Sequence, residues 1–542
     1  MAIRLAEAAP EAYRYPLLIG HLLHTPLATS PGQFIVYRDR RRHTYREMRA
    51  RIGRLAAGLH RLGVVAGETV AILDWDSHRY LECFFAVPMM GAVLQTVNVR
   101  LAAGQVAYTM AHAEVRIALV HRDFLPLIEE IRGSLPHLRT VVMIDDDAGT
   151  LPGYCAIEYE TMLAATKQEY AFGEFDENAV ATTFYTTGTT GRPKGVCFSH
   201  RQIVLHSLAV LGAIASPARG QSFRHGDVYM PMTPMFHVHA WGNPFVATLL
   251  GVKQVYPGRY VPEELIALRA REGVTYSHCV PTILQLLLAA AERTGADLSG
   301  WKMCIGGSPL PGGLAQKAME RGIDVFAGYG MSETGPVLAI TRLHPDVSLQ
   351  GQIPSRCRTG QPVPLVDLRV IDEAGAEVAR DDRSVGEIVV RAPWLTPCYV
   401  GDPDASKALW RGGYLHTQDV ARIDASGSLQ ITDRTKDVIK TGGEWVSSVE
   451  LESIISRLPG ISEVAVIAMP DLKWGERPHV LIVRQDGAEH PSVEEVQAAV
   501  AAAAADGVLP RYAVPERVTF LAALDKTSVG KINKRALRER FG

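Results

Sequence analysis

Nowhere in this chain do two cysteines stand as C-x-x-C, and the seven present (Cys83, Cys155, Cys197, Cys279, Cys304, Cys357 and Cys398) are scattered and odd in number. That argues against a disulfide framework and predicts reduced thiols packed among apolar neighbours. No apolar run reaches the roughly 18 to 20 residues of a membrane span, so no spanning segment is expected. The N-terminus, MAIRLAEAAPEAYRYPLL, carries acids and prolines where a signal peptide needs a continuous apolar core, and a cytoplasmic location is the expectation. Excess charge of either sign is missing too. Lys+Arg 56 against Asp+Glu 58 leave a formal charge of −2, which disfavours nucleic acid as a partner. Repeats of fixed period and long disordered tracts are absent as well.

What is present is a long chain with ample core material. At 542 residues, 47% of them hydrophobic, it exceeds what one hydrophobic core usually serves, so two or more domains are expected. From Glu68 onward short apolar strands alternate with amphipathic segments: Thr69 to Leu73, His78 to Met90, Ala92 to Asn98, Arg116 to Val120 and Thr140 to Ile144. Val274 to His278 and a helix after Pro281 continue the rhythm, which indicates α/β layering in a large N-terminal domain. After about Arg434 the pattern changes to a small α+β unit. It holds strands over Glu463 to Ala468 and His479 to Val483, and a helix opened by a Ser492/Glu495 capping box and stopped by Gly507. Val518 to Leu521 adds a last strand before a basic tail of the kind that is usually solvated. We set the division at residues 1–433 and 434–542.

The most informative stretch is Thr186 to Gly195, TTGTTGRPKG. Four threonines and three glycines surround Lys194 directly after the β-prone Phe184 and Tyr185. Glycines let backbone N–H groups approach an anion, threonine hydroxyls add donors, and a lysine supplies charge without fine angular demands, so the segment reads as a phosphate cradle for a nucleotide triphosphate. It is not a Walker A loop, because Gly195 follows Lys194 and Val196-Cys197-Phe198-Ser199 reads as a strand rather than a helix. Nor does a G-x-G-x-x-G sit between a strand and a helix here. The loop is expected to join two strands.

TTGTTGRPKG resembles the phosphate-loop signature of the acyl-adenylate-forming superfamily of acyl-CoA synthetases, luciferases and peptide-synthetase adenylation domains. Further segments follow in that family's order. The resemblance implies phosphate contacts from Thr186, Thr187, Gly188, Thr189, Thr190 and Lys194. It implies an adenine, phosphate and magnesium segment at Gly328-Tyr329-Gly330-Met331-Ser332-Glu333-Thr334, with Tyr329 stacking, Glu333 as the magnesium ligand and Thr334 offering its hydroxyl to the α-phosphate. Gly306-Gly307-Ser308 matches the turn lining the adenine and acyl pocket. Pro234 to Val238 matches the segment at the carboxylate site, where His237 positions substrate and Trp241 gates an acyl tunnel. His416-Thr417-Gln418-Asp419 resembles the ribose segment, with Asp419 kept and Gln418 in the usual glycine place. Asp433 to Asp437 resembles the hinge, with Arg434 on ribose or phosphate and Lys436 as pivot. Lys440 to Trp445 resembles the loop of a second, thioester-forming conformation, in which Lys440 and Trp445 reach the coenzyme. Lys526 to Lys531 matches the final segment, with Asp525 and Lys526 replacing its usual proline and arginine, and singles out Lys531 as the catalytic lysine beside Glu333, Thr186 and His237.

Taken together, the resemblance implies an ATP- and magnesium-dependent enzyme that activates a carboxylic acid as acyl-AMP and passes the acyl group to coenzyme A. A medium- or long-chain fatty acid is the expected substrate and a homodimer a possible assembly. An aryl-CoA ligase, a stand-alone adenylation enzyme loading a carrier protein, and a non-catalytic nucleotide-binding regulator are the rival readings. A carboxylate is already ionised near neutral pH and needs no general base; it needs relief from repulsion as it meets the α-phosphate, so electrostatic stabilisation should dominate.

Overall fold

The computed structural model describes residues 3–541 apart from 148, 187–191, 218–219, 344–349, 436, 442–443, 486, 488, 507–508 and 528–530, and gives no side-chain placement for 350, 444 and 445. Gly507, expected to stop a helix, lies outside the described residues.

Two large sheets carry the N-terminal domain. In the first, strands run in the order Cys155–Glu158, Thr140–Ile144, Val115–His121, Thr69–Leu73, Val93–Thr96, Val180–Thr186 and Lys194–Ser199. Every neighbouring pair is parallel except the last, where Lys194–Ser199 runs antiparallel to Val180–Thr186 and pairs Lys194 with Thr186. The threonine-rich segment therefore joins two strands, as its flanks predicted. The second sheet has a parallel centre of Asp324–Gly330, Lys302–Ile305, Tyr276–Cys279, Val228–Met232, Lys253–Tyr256 and Phe34–Tyr37, with antiparallel strands at its edges. Such sheets are buried on both faces, which accounts for their near-continuous apolar runs. A third, antiparallel sheet contains Tyr414–Ile423 paired with Leu429–Arg434.

Local sequence explains the helices between them. Tyr45–Arg61 starts on a Thr44/Glu47 capping box, and His200–Ala215 on a Ser199/Gln202 box. Pro281 opens Pro281–Thr294 and Gly295, at φ +67°, closes it. The layered α/β domain and the smaller C-terminal α+β domain expected from the sequence are both present.

In the small domain the sheet contains Ile439–Thr441, Gly475–Arg484, Ile461–Asp471 and Arg517–Leu521. The Ser492/Glu495 capping box forms and opens Val493–Ala505. The basic tail departs from expectation. It folds as the helix Lys534–Phe541, buries Leu537, and pairs Lys534 with Glu452 and Arg538 with Asp437. Amphipathic spacing, not charge, decides its fate, because Leu537 caps an apolar cluster with Ile467, Leu481 and Leu524.

Candidate active site

Between the two domains lies a cleft of about 1320 Å³. Three parallel strands of the second sheet end at it: Tyr276–Cys279, Lys302–Ile305 and Asp324–Gly330. Ligand sites form at such carboxyl ends because the loops that follow are free to diverge. The cleft receives most of the side chains singled out from the sequence. Thr186, Lys194, His237, Trp241, Gly307, Ser308, Gly328, Tyr329, Gly330, Met331, Glu333, Asp419, Arg434 and Lys531 all line it.

Lys531 arrives from the small domain. Thr527 N–H donates to the Lys531 carbonyl at 2.7 Å, Lys531 N–H donates to Thr527 Oγ1 at 3.2 Å, and Lys526 pairs with Ile532 and with Glu463. Lys531, held by these contacts, lays its side chain over Gly307, its Cε 3.2 Å from where a Cβ on that glycine would stand. Burial first, and repulsion from Arg434 second, push its amine down to about 8, while Asp419 and Glu333 oppose the shift.

Glu333 is 7% exposed, and its Oε1 accepts from the Tyr399 hydroxyl at 2.6 Å. Burial raises this carboxyl above the ordinary range, with Tyr399 opposing. The Tyr399 ring lies 4.7 Å beneath Lys194 Nζ, a cation–π contact worth about 0.5–2 kcal/mol. Tyr399 thus ties Lys194 to Glu333. Its peptide is fixed as well, because Val400 N–H donates to Gly195 O at 2.8 Å. Nothing in Cys398-Tyr399-Val400-Gly401 pointed to this role; the link is tertiary. No group of three or more His, Cys, Asp or Glu fit to hold a metal occurs among the described residues. A buried carboxylate near Lys194 nevertheless fits the expectation of magnesium, which binds through one or two carboxylates plus substrate phosphates.

Asp419 accepts from the Tyr329 hydroxyl at 2.7 Å and pairs with Arg434 Nε at 3.2 Å. Gln418, in the place usually held by glycine, keeps the left-handed backbone at φ +60°. Its N–H donates to Glu387 and its carbonyl accepts from Thr435, so the turn is maintained despite the side chain.

Several expectations are revised. Thr334 does not line the cleft. It is fully buried, and its hydroxyl donates to the Pro336 and Met331 carbonyls, so it braces the turn that carries Glu333 instead of facing a phosphate. The glycines of this segment are small because the protein packs on them. A Cβ on Gly330 would stand 1.8 Å from the Pro336 carbonyl oxygen, and one on Gly328 2.9 Å from Cys304 Sγ. The Tyr329 ring is tethered through its hydroxyl to Asp419, so it enters the site already fixed. Lys440, whose expected role belongs to the second conformation, is here exposed on Ile439–Thr441, outside the cleft, its N–H donating to Glu476. Trp445 lies on the strand Glu444–Val446 with its side chain undescribed. Thr187, Gly188, Thr189, Thr190, Lys436, Gly442, Gly443 and Gly530 fall outside the described residues.

His237 is neutral near pH 7, since burial, then Lys531 and Arg100, push its imidazole down to about 3. The residues after it form an unusual turn: Val238, His239, Ala240 and Trp241 all have positive φ, from +48° to +58°, and Gly242 follows at +73°. Left-handed backbone costs an L-residue about 1–2 kcal/mol, so four in a row must be held from outside. The hold is visible. Asp76 accepts from Met235 N–H at 2.8 Å, Thr96 donates to the Phe236 carbonyl at 2.9 Å, and the His239 ring is caged by Phe84, Phe184 and Phe245. The turn lays the Trp241 indole over Gly306, where a Cβ would come within 3.0 Å of the ring, and against His278 at 5.0 Å between centroids. The cleft is also lined by the apolar Val210, Ile214, Tyr276, Cys304, Val337 and Ile340, with Asn243 as a polar member. Tyr276 sits two residues before His278 on the same face of one strand, so the apolar lining includes a residue beyond the one that the Trp241 ring touches.

Two family descriptions match the chain: AMP-binding enzyme over residues 24–400, and AMP-binding enzyme C-terminal domain over residues 450–531. A long-chain-fatty-acid–CoA ligase of Thermus thermophilus is 41% identical over 506 residues, covering 92% of this chain and 90% of that protein. A medium-chain-fatty-acid–CoA ligase of Ectopseudomonas oleovorans is 36% identical over 92% of this chain and 91% of its own length. Among solved structures, ATP-bound MatB of Rhodopseudomonas palustris superimposes with a TM-score of 0.81 at 26% identity, over 97% of this chain and 99% of that one.

Proposed function

The chain belongs to the AMP-binding enzyme family, and from that premise we propose that it is an ATP-dependent acyl-CoA synthetase that activates a medium- or long-chain aliphatic acid as acyl-AMP and transfers the acyl group to coenzyme A. The observation that carries this reading is the meeting, in one cleft, of a lysine from the small domain with Lys194, Glu333, Asp419 and a buried apolar arm. The names of the relatives from Thermus thermophilus and Ectopseudomonas oleovorans point the same way.

The acid enters with its tail along Val210, Ile214 and Tyr276 and its carboxylate toward Gly307 and His237. Lys194 and the threonine loop hold the phosphates of ATP, and Asp419 accepts from the ribose hydroxyls. Glu333 is the residue that would hold magnesium, which supplies neutralising charge to the phosphate oxygens when bound. Lys531 brings a positive charge to the point where carboxylate and α-phosphate meet, and the neutral His237 shapes that end of the acyl site without adding charge. A carboxylate oxygen forms a bond to the α-phosphorus as the bond to the bridging oxygen breaks, and pyrophosphate leaves with that electron pair. The small domain then turns about Lys436, withdrawing Lys531 and bringing Lys440 and Trp445 toward the acyl-adenylate. The thiol of coenzyme A attacks the acyl carbon, AMP departs, and the thioester remains.

An aryl acid is the second reading. The aliphatic reading is favoured by the apolar lining of Val210, Ile214, Val337 and Ile340 and by the names of the fatty-acid–CoA ligase relatives. ATP–pyrophosphate exchange with straight-chain acids from butyrate to palmitate, and with benzoate, tests the choice. Exchange should rise beyond hexanoate and stay low with benzoate; the reverse order would refute the aliphatic assignment.

A further inference from the structure

The cleft has another wall, where the domains touch away from the phosphate and acyl ends. The strand Ile461–Asp471 edges the small-domain sheet, and its pairing with Gly475–Arg484 skips a residue between Ile461 and Glu463. Ser462 is that bulged residue, so its backbone carbonyl falls out of the ladder and needs a partner elsewhere. The partner is on the other domain. Gln285, on the helix Pro281–Thr294, donates through Nε2 to the Ser462 carbonyl at 2.6 Å and to its Oγ at 3.0 Å.

On the same wall the helix Gly312–Glu320 opens on two glycines. A Cβ on Gly313 would stand 2.8 Å from the Ser456 carbonyl oxygen, and one on Gly312 3.2 Å from Arg457 Nε. Neither glycine has a positive φ, so backbone conformation does not demand them; the close approach of the small domain does. Ser456 ends the helix Ser448–Ile455, so a negative helix end meets the positive end of Gly312–Glu320.

We propose that Gln285 and the Gly312–Gly313 pair form a seat that holds the small domain in the acyl-adenylate-forming position, making Gln285 a positioning residue that acts through Lys531. The proposal rests on the two-step reading above. Each of these contacts joins residues of different domains, so each is made only while the small domain lies as it does here, with Lys531 over Gly307. Turning the domain toward the thioester-forming arrangement must break them, and they bias the equilibrium toward the first half-reaction.

The test separates the half-reactions in the full-length protein. Gln285→Ala, and the isosteric Gln285→Glu, which has no donor and sets a carboxylate against a carbonyl, should lower decanoate-dependent ATP–pyrophosphate exchange about three- to tenfold. Thioester formation from supplied decanoyl-adenylate and coenzyme A should stay within about twofold of the unaltered protein or rise. Gly313→Leu, a wedge in the seat, should lower exchange more than either with the same sparing. Equal loss of both half-reactions, or unchanged exchange in Gln285→Glu, overturns the seat. An unaltered protein that exchanges pyrophosphate with no acid overturns the two-step reading itself and the seat with it.

Discussion

The Lys531 amine, pushed down to about 8 chiefly by burial and then by Arg434, acts on the anions only while protonated. Its charged fraction therefore falls as pH rises through about 8, and kcat/KM for acyl-adenylate formation should decline above that pH. Lys531→Arg should be slower but flat across the same range, because a guanidinium keeps its proton. Lys531→Ala should lower adenylation by about 10² to 10³ while sparing thioester formation from supplied acyl-adenylate. Equal loss of both steps, measured by pyrophosphate exchange and by thioester yield, would contradict this division. Tyr399 gives a second test at this scale. Tyr399→Phe keeps the ring under Lys194 but frees Glu333, and should raise several-fold the magnesium concentration that half-saturates exchange; an unchanged magnesium dependence would show that the hydroxyl does not orient the carboxylate. Lys531 and Glu333 were legible only through the family's motifs, since neither is distinguished by its own neighbourhood in the sequence. Tyr399 was illegible, because it lies 66 positions from the glutamate it holds.

At the scale of elements, periodicity and capping placed well those helices and strands that the sequence singled out. Thr69–Leu73 and Thr140–Ile144 begin and end where their apolar runs do. The left-handed turn from Val238 to Trp241 left no trace in the sequence, because none of its four residues prefers that backbone and the forces imposing it come from Asp76, Thr96 and the Phe84, Phe184 and Phe245 cage. Its strain makes two predictions of opposite sign. Ala240→Gly should stabilise the protein by up to about 1 kcal/mol, since glycine takes this backbone freely. Gly242→Ala should destabilise it by about 1–3 kcal/mol, because φ is +73° and the new Cβ would come within 2.8 Å of the His206 ring. Denaturant midpoints decide both, and shifts of the same sign would mean that the turn is not strained.

Over the whole molecule, most of the deeply buried histidines are held neutral at pH 7. His206, His239 and His278 are buried, and burial pushes each down to about 3; His78 and His200, also buried, stand at about 4. In the unfolded chain these rings take up protons below about pH 6.5, so the unfolded state binds more protons and stability is lost as pH falls through that value. Each ring held near 3, His237 among them, costs about 2 kcal/mol by pH 5. Asp76, pushed up to about 7 by burial, works in the opposite sense and offsets part of this loss. The melting temperature should therefore drop steadily from pH 7 to pH 5, and a flat profile would show that the histidines are not held neutral. The broad plan of a large layered domain and a small one was readable from the change in pattern after Arg434. The seat between them was not, because Gln285, Gly313 and Ser462 acquire meaning only when both domains are placed.

The proposed chemistry joins a carboxylate to AMP and then to a thiol in one cleft. The most direct measurement incubates the protein with ATP, magnesium, decanoate and coenzyme A and counts products. AMP, pyrophosphate and decanoyl-CoA should appear in equal amounts, with decanoyl-AMP accumulating when coenzyme A is left out. Release of ADP and phosphate, or AMP formation that ignores the acid, would contradict it.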